Sequence, residues 1–315
     1  MQSNNLIMVY YKPLLINQYT NLFIRFIMQK RILPFLLTTC LSIISIDAMA
    51  INCSDNPTQN IVAANNYIFQ IFDYIDSPVK DIKQEIRTSI TKLGTDANGS
   101  TAKHKLEYAS NGLITQSHYD LYSDKNTRVY SEYLQKNKSG WENIIEDVED
   151  KTNSIIQFNT DEQGKIVASQ QTKKAVDFVF FETDNYMYDS NNCLINKNVQ
   201  WQLKETDENG NYTGRDQKGA SIYTFRYQEQ QLAKVLFQFS NNMKNESDFL
   251  YQYDNDHHRL ITIETSYYLS SGKEAAHYVT KFLTFNEKND WLTAIKVKNN
   301  QGGKQTTITR ELTYY

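Results

Sequence analysis

The stretch Phe249 to Tyr268, FLYQYDNDHHRLITIETSYY, carries the pattern that most constrains this chain. Phe249, Tyr251 and Tyr253 alternate along an extended segment. The polar run Asp254 to Arg259 interrupts them, and Ile261, Ile263, Thr265 and Tyr267 resume the alternation. A period of two with a polar break reads as a β-hairpin, because successive side chains of a strand point to opposite faces. Related turns read ASNGL at 109–113, NTDEQGKI at 159–166, DSNNCL at 189–194, TDENGNY at 206–212, QEQQL at 228–232 and NEKNDWL at 286–292. Asn, Asp and Gly dominate them, as residues that tolerate positive φ or hydrogen-bond their own backbone.

An aromatic precedes most of these turns and an aliphatic follows: Tyr108 and Leu113, Phe158 and Ile166, Tyr188 and Leu194, Tyr227 and Leu232, Tyr253 and Leu260, Phe285 and Leu292. The period is loose and close to thirty residues, so the units are degenerate and neighbours complete each other's cores. No Pro/Gly/Ser-rich linker divides the chain, which holds only four prolines. The expected fold is therefore mainly all-β, an antiparallel meander of degenerate hairpin repeats forming a single domain over 77–315.

The first fifty residues read differently. Met28 is followed by Gln29-Lys30-Arg31, by the apolar run Ile32 to Ile46, and by Ala48-Met49-Ala50. A basic start, a short apolar run and small residues at Ala48 and Ala50 make a secretory signal peptide over 28–50, with 1–27 an over-extended N-terminus. The leader holds four of the 33 basic and one of the 36 acidic side chains, so the mature chain carries a net charge near −6. That mildly acidic balance offers no footprint for phosphate backbones, and no nucleic-acid partner is expected.

Cys53 and Cys193 remain after cleavage, with no CxxC motif. In an oxidising compartment such a pair reads as a disulfide rather than a metal or redox site. Between Ile51 and Asp76, the spacing of Ile61, Ala64, Ile68, Ile71, Phe72 and Ile75 predicts a short amphipathic helix within 60–76. Residues 79–90 fit either a helix with Val79, Ile82, Ile86 and Ile90 as its stripe or a strand of alternating β-branched and charged residues. Trp141 to Lys151 also has helical spacing.

The aromatic-Asp-x-x-Gly-x-Leu plan resembles the tyrosine–aspartate repeats of Rhs-like secreted bacterial proteins. Ser77-Pro-Val-Lys-Asp-Ile82, Cys193 with TDENG at 206–210, IYTFRY at 222–227 and ITRELTYY at 308–315 resemble the YnfC family of uncharacterised enterobacterial envelope lipoproteins. That resemblance implies an envelope location, a β-rich body and no assigned activity, and it tips 79–90 toward a strand. Family members carry a lipid-modified cysteine after a Leu-x-Gly type box, which neither Cys40 nor Cys53 has, so both are weak lipidation candidates. The family's cysteine at the first turn is replaced here by Gly112-Leu113, which leaves Cys53 as the partner for Cys193.

No GxSxG elbow, HExxH pair, phosphate-cradling Gly loop or GxGxxG fingerprint occurs. Asp207 to Asn211 departs from a calcium loop, with Gly two positions early and Lys218 where a bidentate Glu belongs, and reads as a hairpin turn. His257-His258 beside Asp254 and Asp256 read as a solvated turn, since adjacent strand side chains face opposite ways. Trp141, Trp201, Trp291 and the tyrosines read as sheet packing, with a glycan-stacking surface as the alternative. The expectation is a periplasmic or envelope protein, a non-enzymatic binding or structural module without metal or cofactor, with a glycan- or peptidoglycan-binding protein and, after it, a hydrolase with a diverged site as the alternatives. Its partner would be an envelope protein or a glycan, and it would meet the membrane only through a lipid anchor.

Overall fold

The computed structural model describes residues 53–69, 81–93, 99–137, 140–175, 177–207, 209–240, 243–254, 259–299 and 304–315. The expected leader with Ala48 and Ala50, together with Cys40, Asp256, His257 and His258, lies outside them. The body is one antiparallel sheet that closes on itself. After helix α1 (Pro57–Ile68) the strands run β1 (Ile82–Leu93), β2 (Ser100–Tyr108), β3 (Ile114–Tyr122), β4 (Arg128–Asn137), β5 (Gly140–Asp147), β6 (Thr152–Thr160), β7 (Ile166–Lys174) and β8 (Phe178–Tyr188). They continue as β9 (Leu194–Thr206), β10 (Tyr212–Gln228), β11 (Gln231–Phe239), β12 (Lys244–Tyr253), β13 (Leu260–Tyr268), β14 (Glu274–Phe285), β15 (Trp291–Asn299) and β16 (Lys304–Tyr314). Each strand pairs with its sequence neighbours, and β1 pairs with β16 from Ile82↔Tyr314 to Leu93↔Lys304. The expected all-β meander with a short N-terminal helix is thus a closed up-and-down barrel.

One turn geometry recurs at both ends. In Ala109–Leu113, Ser123–Thr127, Asp161–Lys165, Asp189–Cys193, Asp207–Asn211, Leu269–Lys273 and Asn286–Asp290, the first N–H donates to the fifth carbonyl and the fourth N–H to the first carbonyl. The fourth residue has positive φ and is Gly or Asn in every case: Gly112, Asn126, Gly164, Asn192, Gly210, Gly272 and Asn289. In most turns that begin with Asp or Asn, that side chain accepts the third and fifth N–H groups as well, as Asp207 does from Asn209 and Asn211. Those bonds hold the Asp207 carboxyl below its ordinary range and occupy it as a turn, not a calcium ligand.

The aromatic-turn-aliphatic repeat maps onto one rim, formed by the turns that follow β2, β6, β8, β10, β12 and β14. There Tyr188 Oη donates to the Ile166 carbonyl at 2.6 Å, Tyr227 to Leu194 at 2.9 Å and Tyr251 to Leu232 at 3.0 Å. Each tyrosine reaches the first or second residue of the strand after the preceding rim turn, so neighbouring hairpins are clasped in sequence. Tyr315 Oη also bonds across the closure, to the carbonyl of Tyr108 at the end of β2. In β12 the aromatic next to the turn, Tyr253, is exposed, and Tyr251 two residues earlier is the clasp.

Two helix expectations need correction. The helix opens at Pro57, ahead of the expected 60, with Asn56 as its N-cap accepting the Gln59 N–H and Pro57 in the first turn. It is described to Ile68, and the remainder of the expected span beyond Phe69 lies outside the described residues. The helical spacing of Trp141 to Lys151 is misleading, because its first part is strand β5. Ile145 points inward there while Ile144 and Val148 point outward, and apolar residues on both faces imitate a helical stripe. Of the 79–90 segment, the part from Ile82 is strand β1, as the envelope-family resemblance implies.

Outward rows are mostly polar. Tyr133, Ile144, Ile155, Thr172 and Phe181 face one another across β4 to β8. The next outward row toward one rim is Gln135, Glu142, Gln157, Gln170 and Thr183, and toward the other it is Ser131, Glu146, Asn153, Lys174 and Val179. Rows on one face lie about 7 Å apart, so over β4 to β8 this apolar band is one residue tall.

Gly219 lies opposite Trp201, whose indole covers the place of a side chain, so a Cβ there would run into the ring. Gly219→Ala is therefore expected to lose about 1–3 kcal/mol through overpacking, measured by urea unfolding. Gly164→Ala, by contrast, meets no neighbour and strains only its own φ.

Candidate functional site

Inward-facing residues of the barrel are unusually polar for a core, and α1 sits at the clasped rim. Asn60, Asn65 and Asn66 of the helix are 2%, 1% and 0% exposed. Each amide meets a rim turn. Asn66 accepts the Ile114 N–H and donates to the Gly112 carbonyl, both at 3.0 Å. Asn65 repeats this with Ile166 N–H at 3.0 Å and Gly164 O at 2.8 Å. Asn60 donates to the Asn191 carbonyl at 2.8 Å and accepts from Ser54. Side-chain amides thus complete the backbone bonding of three turns that antiparallel pairing leaves open.

Below these amides, Phe69 packs on Trp141 and Phe158 with ring centroids 4.8 and 5.4 Å away, and Tyr67 meets Phe225 edge-on at 5.5 Å. The Cys53–Cys193 disulfide fastens the start of this segment to the β8–β9 turn, with Cα atoms 5.3 Å apart. Cys53 N–H also bonds the Gln230 carbonyl in the next rim turn. The expected pair is therefore present. Asp189 lies near both sulfurs; with the sulfurs bonded to each other, they are not thiolate ligands.

Three inward polar groups lie beneath the plug. In the first, the Glu85 carboxylate is fully buried between Arg87 and Arg310, with Arg310 Nε at 2.8 Å and the Tyr108 hydroxyl at 2.9 Å. Burial alone would raise its pKa, but the charges and hydrogen bonds of Arg310 and Arg87 outweigh it and hold the carboxyl far below the usual range. Both guanidinium groups stand over Trp291, at 5.5 and 4.6 Å. The register continues this layer as Arg310, Arg87, His104, Tyr119 and Glu132 on successive strands.

Glu132 centres the second group. It accepts from Asn143 Nδ2 at 2.5 Å and Tyr130 Oη at 3.2 Å. Among the described residues no basic side chain pairs with it. Burial pushes its carboxyl up to about 7, against the opposing pull of those two hydrogen bonds.

The third group lies on β7, β8 and β9. Lys197 Nζ is 2.8 Å from Asp184 Oδ2, and both residues are buried. Ser169 Oγ donates to Asp184 Oδ2 at 3.0 Å, and the Tyr186 hydroxyl reaches the same oxygen at 3.2 Å. The Glu182 pKa is raised by burial and by the neighbouring Asp184 carboxylate. Trp141 and Trp291 are buried within the barrel and Trp201 is partly so, as sheet packing predicts.

No protein-family model matches the chain, and no curated protein matches it. Among solved structures it is similar to a porin-like protein from Bacteroides uniformis, at 12% identity and TM-score 0.41, over 74% of this chain and 98% of that one. A DUF1329 family protein from Desulfovibrio piger is similar at 9% identity and TM-score 0.30, over 82% and 93%.

Two outcomes follow from this geometry. Asn65→Ala or Asn66→Ala should each cost about 2 kcal/mol in urea unfolding, since each strands a buried N–H and carbonyl at a rim turn. Thr58→Ala, at an exposed position of the same helix, should stay within about 0.5 kcal/mol of the parent. For Glu132, the folded state holds the proton more tightly than the unfolded chain. Its contribution to stability should therefore be level below about pH 4.5, decline as pH rises toward 7 and level off above, a loss of about 3 kcal/mol in all. Glu132→Gln should flatten that part of the stability–pH curve and be the more stable protein at pH 8.

Proposed function

We propose that this chain is an exported, non-enzymatic binding protein of the bacterial cell envelope, whose binding groups line a barrel plugged by its own N-terminal helix. The Cys53–Cys193 bond carries the reading, because a disulfide that fixes the plug to the rim is maintained in an oxidising compartment and reduced in the cytosol. The signal-peptide pattern over 28–50 and the resemblance to envelope lipoproteins support the same location. The inward charges support binding over catalysis: Glu85 is spent on two arginines, and Ser169 gives its hydrogen to an Asp184 carboxylate already paired with Lys197.

Expression of the full chain in a Gram-negative host, followed by osmotic-shock fractionation, tests the location. The protein should be recovered from the periplasmic or membrane fraction, with the Cys53–Cys193 peptide seen by mass analysis without reduction. In-cell crosslinking should then capture an envelope component. Recovery in the cytosol with two free thiols would overturn both the export and the disulfide on which it rests.

A further inference from the structure

One inward wall beneath α1 carries polar atoms that the fold leaves without partners among the described residues. Asn143 on β5, Gln171 on β7 and Asp184 on β8 are 1%, 5% and 5% exposed. Asn143 Oδ1 and Gln171 Oε1 accept no hydrogen bond, and the Asp184 carboxylate has, besides Ser169, Tyr186 and Lys197, a hydrogen bond from the protonated Glu182 carboxyl. Other atoms of the two amides are engaged: Asn143 Nδ2 on Glu132 and Gln171 Nε2 on Ser154 Oγ at 2.6 Å. Turning either amide over exchanges an unpaired acceptor for an unpaired donor. Each such buried group costs stability that an apolar side chain of the same shape would not.

The register places these groups together. Asn143, Ile156, Gln171, Glu182 and Trp201 form one inward row, and Phe158, Ser169 and Asp184 belong to the next row toward the plug. Phe69 rests on Phe158 in that nearer row, so the helix closes over the wall. From β5 to β8 the wall covers three strand spacings, about 14 Å. It presents acceptors, amides that can serve as either donor or acceptor, and the rings of Tyr186 and Trp201.

We propose that this wall is the polar half of a binding site for a polyhydroxylated ligand, a saccharide of two or more rings, held closed by α1. Hydroxyl groups both donate and accept, which suits a set of amides and carboxylates whose unpaired atoms, Asn143 Oδ1 and Gln171 Oε1, are acceptors. The faces of sugar rings pack on aromatic side chains such as Trp201. The apolar rings and the asparagine contacts of α1 close the site, and the disulfide keeps the helix from leaving the rim. This assignment rests on the reading of the chain as a binding protein and adds the ligand class to it.

The test uses the full mature chain and a Cys53→Ser/Cys193→Ser form in which the helix is no longer tethered. Cellobiose and N,N′-diacetylchitobiose at millimolar concentration are titrated against each, followed by ligand-observed NMR and tryptophan fluorescence. Binding by the untethered form at least tenfold tighter than by the tethered one, and lost in Gln171→Leu and Asn143→Leu, is the expected result. The same two leucine variants should melt no higher than the parent without sugar, because each also removes a donor, Asn143 Nδ2 from Glu132 or Gln171 Nε2 from Ser154, so circular dichroism at the titration temperature confirms that each is folded before binding is read. Gln171→Met serves as the second probe of that site should the leucine variant not fold. Absence of binding in both forms, or binding unchanged by the substitutions, overturns the saccharide assignment while leaving export and the capture of a protein partner standing.

Discussion

Everything in this fold depends on the pairing of β1 with β16. It joins Ile82–Leu93 to Lys304–Tyr314 along nearly their whole lengths and converts a linear meander into a ring. An open sheet of this length would expose two rows of unpaired backbone groups, which template further strand addition. The closure also assembles the Glu85 group: Arg87 and Arg310 are direct partners across that seam, and Glu85 sits between them. A buried carboxylate between two guanidinium groups adds little net stability, but removing one partner leaves an uncompensated charge, so the seam tolerates one register. Tyr315 Oη bonds the Tyr108 carbonyl and so reaches from the end of β16 past β1 to the end of β2 across the seam.

The plug follows from the ring. The rim turns end with carbonyl and N–H groups directed at the mouth, and α1 answers three of them with Asn60, Asn65 and Asn66. Asparagine is a poor helix former, because its side chain competes for nearby backbone groups. Here the helix accepts that cost in exchange for bonds outside itself. Tyr67 and Phe69 add the apolar contact, and the disulfide ties the segment to the β8–β9 turn. The result is a polar interior sealed at one end by a segment that precedes the barrel in sequence and shares no strand with it.

The strands and turns were legible because their causes are local. Alternation needs only neighbouring residues, and the Gly or Asn at the fourth turn position reports a backbone φ that few other residues adopt. Closure was not legible, since it joins residues more than two hundred positions apart and leaves no local mark. Outward Ile144 and Val148 hid β5 behind a helical period, and in β12 the clasp is Tyr251 rather than the turn-side Tyr253. The Cys53–Cys193 pair was readable by counting cysteines. Asn65 and Asn66 were not singled out, although two adjacent asparagines inside a short apolar helix are the signal that their amides are needed elsewhere.

Helix α1 is an integral part of the barrel rather than a tail lying on it, and every functional reading of the interior turns on that point. Hydrogen–deuterium exchange followed by mass spectrometry on the oxidised protein measures it directly. Amides of 60–68 should be protected to the same degree as those of β2 and β6, whose turns the helix engages. Exchange of 60–68 at the rate of an unstructured peptide, with β2 and β6 still protected, would contradict it.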